Sequence, residues 1–315
     1  GKQPLTSKRK IARMNEVDEK GLSYEIHKLK EQLEKLRKPD PPEGKQPLTV
    51  ASQEYERKIP DLGLRSRRKL QGHYGKIYAM QWGGNAAKHQ LVSASQDGKM
   101  IIWNAYFQTK VHAIPLKSTW VMTCAFSPSE RYAASGGLDN NCSIYAIPSE
   151  DSEEAGEYQQ QEPDISLEGH EGYLSCCRFI SDRKMVTSSG DKSCKLWDIQ
   201  DSKEAVATFK DHTGDVMCVE ACEQNGTFIS GSCDSNVNLW DYRAKKAKVM
   251  SFVGHHGDVN ALAWFPTGNA FATASDDKTC KLYDIRAAAQ LQEFASEESC
   301  ATSLAFSSTG SYLFI

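Results

Sequence analysis

Residues Leu167–Asp198 read LEGHEGYLSCCRFISDRKMVTSSGDKSCKLWD, and their pattern decides the fold. Gly169-His170 opens the stretch, two apolar runs follow, Asp191 sits in a polar turn, and Trp197-Asp198 closes it. Short apolar runs broken by Gly, Asp and Ser read as antiparallel strands. Three such strands cannot bury both faces of their own sheet, so the unit needs copies of itself alongside.

Those copies are present. The turn Asp with an aromatic residue six positions later recurs as Asp97/Trp103, Asp139/Tyr145, Asp191/Trp197, Asp234/Trp240 and Asp277/Tyr283. The opening His recurs as His73, His170, His212 and His255, the last three 42 and 43 residues apart. This period, bounded by Gly-His and Trp-Asp, is the WD40 propeller signature, with one four-stranded blade per repeat. The expected class is therefore all-β. A sixth repeat starts near Phe294 and runs through Ser303–Phe306 to Ser311–Ile315. Its turn Asp would fall near position ~320, so the spacing predicts five full blades and part of a sixth. With Gly1 in place of an initial Met, the sequence reads as a piece of a longer polypeptide. Arg67–Leu70 is expected to form a strand that closes such a ring as the outer strand of its last blade.

The repeats are not uniform. Between Pro115 and Ile147 there is no Gly-His, and Trp120 stands where a loop should turn into a strand. Asp211-His212 replaces Gly-His in the fourth repeat, and Tyr283-Asp284 replaces Trp-Asp in the fifth. The acidic, Gln-rich insertion Pro148–Pro163 is expected to be a mobile surface loop.

The chain has 315 residues, 39% apolar and 25% charged, and a net charge of −3. Residues 1–70 carry +7 and the remainder −10. A basic leader on an acidic body points to a partner or membrane surface for the leader and argues against nucleic-acid binding by the body. None of the ten cysteines forms Cys-x-x-Cys, and Cys218-x-x-x-Cys222 has no matching ligand pair, so buried reduced thiols are expected rather than zinc. No signal peptide or long apolar run is present, which gives a cytosolic expectation. Asn141-Cys-Ser143 and Asn225-Gly-Thr227 are accordingly read as turns.

Residues 1–21 read as a disordered basic leader. Leu22, Ile26, Leu29, Leu33 and Leu36 then follow in heptad steps, predicting a coiled-coil helix over 22–38 that Pro39-Asp-Pro-Pro42 stops. So short and narrow a seam calls for a partner helix, the alternative being a solvated helix on its own domain. Residues 39–64 form a linker with room for a short helix before the propeller at 65–315. Gly44–Thr49 repeats the GKQPLT of Gly1–Thr6, a duplication without a physical rationale.

The pairs His73/Asp97, His170/Asp191, His212/Asp234 and His255/Asp277 resemble fragments of a catalytic triad. Four copies at one spacing serve a fold, whereas catalysis needs one. Each Asp is expected to accept from its His, with a strand hydroxyl and the indole of Trp103, Trp197 or Trp240 extending the chain. No phosphate loop, metal-ligand helix or nucleophile elbow is found, so neither enzyme activity nor a cofactor is expected.

Gly72–Met80 (GHYGKIYAM), Ser93–Trp103 (SASQDGKMIIW), Trp120–Phe126 (WVMTCAF), Gly136–Asn140 (GGLDN), Gly172–Phe179 (GYLSCCRF) and Asp276–Tyr283 (DDKTCKLY) resemble heterotrimeric G-protein beta subunits. That resemblance implies a seven-bladed propeller whose amino-terminal helix pairs with a gamma subunit, here through Leu22, Ile26, Leu29, Leu33 and Leu36. It also implies a top face that binds the GDP-bound alpha subunit and effectors. The matching positions are Lys76, Tyr78, Lys99, Trp120, Met122, Leu138, Asn140, Tyr173, Asp215, Met217, Cys233, Asp258 and Asp276, with Lys110 at the outer edge of the first blade. The implied place is the inner face of the plasma membrane, reached only indirectly through lipidated partners. Tyr74 and Glu171 stand where the family usually has Leu and Thr. A generic WD40 adaptor, such as a ubiquitin-ligase substrate receptor or a kinase or ribosome scaffold, is the competing reading.

Overall fold

The computed structural model describes residue 28 and residues 65–84, 89–148, 162–201, 204–244, 247–295 and 299–315. The chain divides into two units, Gly1–Arg65 and Ser66–Ile315. The leader, the linker, the heptad positions Leu22, Ile26, Leu29, Leu33 and Leu36, and most of the 148–163 insertion lie outside the described residues.

The second unit is built from antiparallel hairpins. Its first four-stranded sheet comprises β1 (Ile77–Trp82), β2 (Gln90–Ser95), β3 (Lys99–Asn104) and β4 (Thr109–Pro115). The second holds β5 (Val121–Phe126), β6 (Tyr132–Gly137), β7 (Cys142–Ala146) and β8 (Ile165–Leu167). In the third, β9 (Leu174–Phe179), β10 (Lys184–Ser189), β11 (Ser193–Asp198) and β12 (Ala207–Lys210) pair in order. The fourth contains β13 (Val216–Cys222), β14 (Thr227–Ser232), β15 (Asn236–Asp241) and β16 (Lys248–Val253). The fifth contains β17 (Val259–Trp264), β18 (Ala270–Ser275), β19 (Thr279–Asp284) and β20 (Ala289–Ala295), and a two-stranded sheet of β21 (Ala305–Phe306) and β22 (Leu313–Phe314) follows. The stretch Leu167–Asp198 thus straddles two sheets, supplying the end of β8 and the first three strands of the next blade.

Successive blades pack through their inner strands, β1 on β5, β5 on β9, β9 on β13, β13 on β17 and β17 on β21. The core lies between blades rather than within them. Trp197 of the third blade is buried on Ile144 and Leu167 of the second, and Trp240 of the fourth on Leu196 and Phe209 of the third. Tyr283 of the fifth packs likewise on Phe252 of the fourth. From the second blade onward, each aromatic that closes a repeat is therefore the surface on which the preceding blade rests.

Two turn features explain why the hairpins close. The residue after each turn Asp has positive φ in all five blades: Gly98 (75°), Asn140 (62°), Lys192 (67°), Ser235 (64°) and Lys278 (66°). A left-handed residue is costly for an L-amino acid other than Gly or Asn, so three blades carry strain there that the first two avoid. Gly137 has a different role, because a Cβ there would lie 1.8 Å from the Trp120 carbonyl oxygen.

The expectation of a strand at Arg67–Leu70 is corrected. These residues carry no strand, since no described strand lies alongside to accept its ladder. All ten cysteines are unbonded thiols; eight are buried, Cys233 is half-buried and Cys300 exposed. Burial pushes the Cys124 and Cys194 thiols well above their ordinary range, which leaves them protonated packing groups.

Candidate functional site

Four blades contain one hydrogen-bond chain. In the third, Trp197 Nε1–H donates to Thr187 Oγ1 at 2.8 Å, that hydroxyl meets His170 Nε2 at 2.8 Å, and His170 Nδ1 meets Asp191 Oδ2 at 2.7 Å. The first blade repeats this with Trp103, Ser93, His73 and Asp97, and the fourth with Trp240, Ser230, His212 and Asp234. In the fifth, His255 joins Thr273 to Asp277, and Tyr283, at the position of the indole, packs on Phe252 and Phe271 instead. A hydroxyl has one proton, so the indole donates to it, it donates to Nε2, and Nδ1–H donates to the carboxylate. In the first, third and fourth blades each indole and imidazole N–H of the chain is thereby satisfied.

The carboxylates do more than hold histidines. Asp191 also accepts the N–H groups of Glu171 and Ser193, at 3.1 and 3.0 Å, tying the loop before β9 to the turn before β11. Burial would push its carboxyl up; the hydrogen bonds from His170 and Ser193 outweigh burial and hold it well below the carboxylate range. Asp97, Asp234 and Asp277 are lowered in the same way against their own burial. Asp139, in the blade without a His, is pushed up by burial.

The inner strands carry a second repeated device. The pairing of each with its neighbour skips one residue, at Tyr78, Met122, Ser175, Met217 and Asn260. A bulge of this kind re-aims a side chain. All five residues line one cavity of about 1050 Å³ bounded by the inner strands. Tyr78, Met122 and Met217 were marked by sequence; Ser175 and Asn260 were not. Their signal was a constant offset, five residues past His170 and His255, as Tyr78 and Met217 are past His73 and His212.

Around these bulges the structure gathers most of the remaining candidates. Tyr173 Oη donates to Asp215 Oδ2 at 3.0 Å and lies 3.5 Å from Met217 Sδ. Asn260 Nδ2 donates to Asp276 Oδ1 at 2.6 Å. Burial and the Asp215 carboxylate push Tyr173 up to about 12, and burial with Asp258 does the same for Cys233. Asp215, Asp258 and Asp276 thus make one arc of the rim electronegative. Trp120 and Leu138 form a separate exposed apolar pair, joined where Leu138 N–H donates to the Trp120 carbonyl at 3.0 Å. Asn140 follows in the next turn, and Lys76, on the loop before β1, and Lys99, at the start of β3, are both exposed, Lys99 N–H donating to Asp97. Lys110 stands apart on the outer strand β4, its Nζ 3.5 Å from the Gly72 carbonyl.

Serial four-stranded sheets, four of them built around a repeated hydroxyl–His–Asp chain, make this a WD40-repeat propeller protein. Comparison narrows the class. The family described as "G protein beta WD-40 repeat protein" matches residues 14–315. The "Guanine nucleotide-binding protein subunit beta-1" of Drosophila melanogaster is 51% identical over 173 residues, covering 55% of this chain and 48% of the relative. Its Caenorhabditis briggsae namesake is 47% identical over 218 residues, 69% and 59% respectively. The "Guanine nucleotide-binding protein G(I)/G(S)/G(T) subunit beta-1" of Homarus americanus is 50% identical over 173 residues, 55% and 48%. The matched region spans about half to three fifths of the length of these relatives. The chain belongs to the G protein beta WD-40 repeat family.

Proposed function

We propose that this chain acts as a heterotrimeric G-protein beta subunit, a non-catalytic scaffold in receptor signalling at the inner face of the plasma membrane. The 22–38 segment pairs with a gamma subunit through Leu22, Ile26, Leu29, Leu33 and Leu36. The rim takes the GDP-bound alpha subunit and, after its release, effectors. The supporting observation is the set of bulged residues Tyr78, Met122 and Met217 facing one cavity beside the Tyr173–Asp215 pair. Apolar anchors ringed by charge suit a hot-spot interface, where aromatic burial supplies affinity and the charged rim sets orientation.

Capture of alpha subunit in its GDP form tests this. Trp120→Ala removes a half-exposed ring and is expected to weaken capture by about 2 kcal/mol or more, with an unchanged thermal midpoint. Unaltered affinity would remove Trp120 from the interface. Deleting residues 22–38 is expected to abolish recovery of gamma; a generic adaptor would keep its partners after that deletion.

A further inference from the structure

The first blade carries a charge pattern of which the hydrogen-bond chains and the candidate site residues Lys76, Lys99 and Lys110 use only a part. From Ser66 to Ser129 the sequence holds eight Lys and Arg and a single acid, Asp97, in a chain of net charge −3. Asp97 is engaged by His73 and by the N–H groups of Tyr74 and Lys99.

Part of this excess charge surrounds the turn between β3 and β4. Asn104 Oδ1 accepts the N–H groups of Tyr106 and Phe107, each at 3.0 Å, and Gln108 reverses the chain at φ 60°. The turn raises Tyr106 and Phe107 edge to face, 53% and 69% exposed. The Arg68 guanidinium lies 4.7 Å over the Tyr106 ring, and His89 stacks on that ring at 5.6 Å. Arg67, Lys69 and Lys110 are exposed on the same two segments. Among the described residues no carboxylate pairs with Arg67, Arg68, Lys69 or Lys110.

Exposed aromatic rings at a projecting turn, set among cations without acidic partners, have the chemistry of the membrane interface. Amphipathic rings settle at headgroup level, and each nearby cation is attracted by anionic lipid. A folded acidic partner would need an apolar surface that shields the rings, whereas a headgroup layer accepts a protruding tip. We propose that this turn docks the propeller directly on an anionic phospholipid surface, with Phe107 entering the headgroup layer and the Arg68–Tyr106 pair lying against it. This contact adds to any anchorage that a lipidated partner supplies.

Flotation of the full chain with vesicles tests the proposal, with sedimentation in the absence of vesicles correcting for self-association. Recovery on phosphatidylcholine–phosphatidylserine vesicles is expected to exceed that on phosphatidylcholine alone by about tenfold or more, and to fall as salt is raised. The pair Arg67→Ala and Arg68→Ala should lower the partition roughly twenty-five-fold, at about fivefold per charge. Phe107→Ser should lower it at constant charge. All three side chains are exposed, so thermal midpoints should not move, and capture of alpha subunit through Trp120 reports separately on the proposed function. Equal recovery on neutral and anionic vesicles would overturn the proposal, as would unchanged partition of both variants. Retention of a polyglutamate peptide without vesicle binding would also overturn it and assign the turn to an acidic protein.

Discussion

At the scale of single residues, each His-paired turn carboxylate ties a buried ring, a loop and a turn together. Asp191 accepts from the His170 ring, from two backbone N–H groups and from the Ser193 hydroxyl. Asp191→Ala leaves the buried His170 Nδ1–H without an acceptor and frees the loop before β9. The expected cost is about 3 kcal/mol, with Asp191→Asn closer to 1 because one acceptor oxygen survives. Urea midpoints of the two variants measure the difference, and equal values would mean that the charge, not the oxygen count, matters. These residues were legible in the sequence because each repeat needs them at the same offset. Ser175 and Asn260 were not, although they stand at the offset of Tyr78 and Met217. Their small polar side chains look like ordinary strand residues until the pairing register shows the skipped position.

Elements respond as units because in four blades the loop and the turn are joined by ionisable groups. Asp97, Asp191, Asp234 and Asp277 titrate below their ordinary value of 3.8, so their stabilisation is full above that pH and is lost as pH falls through the folded values. Burial lowers His255 from 6.5. The unfolded chain then takes up this proton first, so His255 removes stability as pH falls below about 6.5. Asp139, raised by burial, has the opposite sign and offsets a little of the acid loss. Urea midpoints are therefore expected to be flat above about pH 7, to decline gently below about 6.5 and steeply only below about 4, and His255→Asn should remove the first decline. A second prediction concerns the left-handed turn residues. Replacing Lys192 or Ser235 by Gly should stabilise by up to about 1 kcal/mol, since the steric cost relieved exceeds the added chain entropy, whereas Gly98→Ala should destabilise. The Asp of each turn marks this position in the sequence. The sign of φ was not legible, because Gly and Asn stand there in only two of five blades.

Across the whole molecule, β1 differs from the other inner strands. The positions of Ile77 and Met80 correspond to Val121 and Cys124, to Leu174 and Cys177, to Val216 and Val219, and to Val259 and Leu262, all of which are buried. In β1, Ile77 and Met80 are 55% and 69% exposed, and Trp82 is exposed with them. The sequence pattern could not distinguish these strands, because β1 has the same apolar spacing and the difference lies only in what packs on it. An exposed apolar strand face of this kind drives association of like molecules. Light scattering of the 315-residue chain is expected to rise with concentration at neutral pH, and Ile77→Thr with Met80→Gln should suppress the rise at little cost in stability, since neither residue is buried. The matched substitution Val216→Thr in β13 keeps the side-chain shape but buries a hydroxyl, and is expected to cost about 2 kcal/mol. Suppression of association by the β13 variant but not by the β1 pair would place the sticky surface elsewhere. A sharp, reversible melt of unmodified monomer at micromolar concentration would show that the exposed face of β1 is harmless.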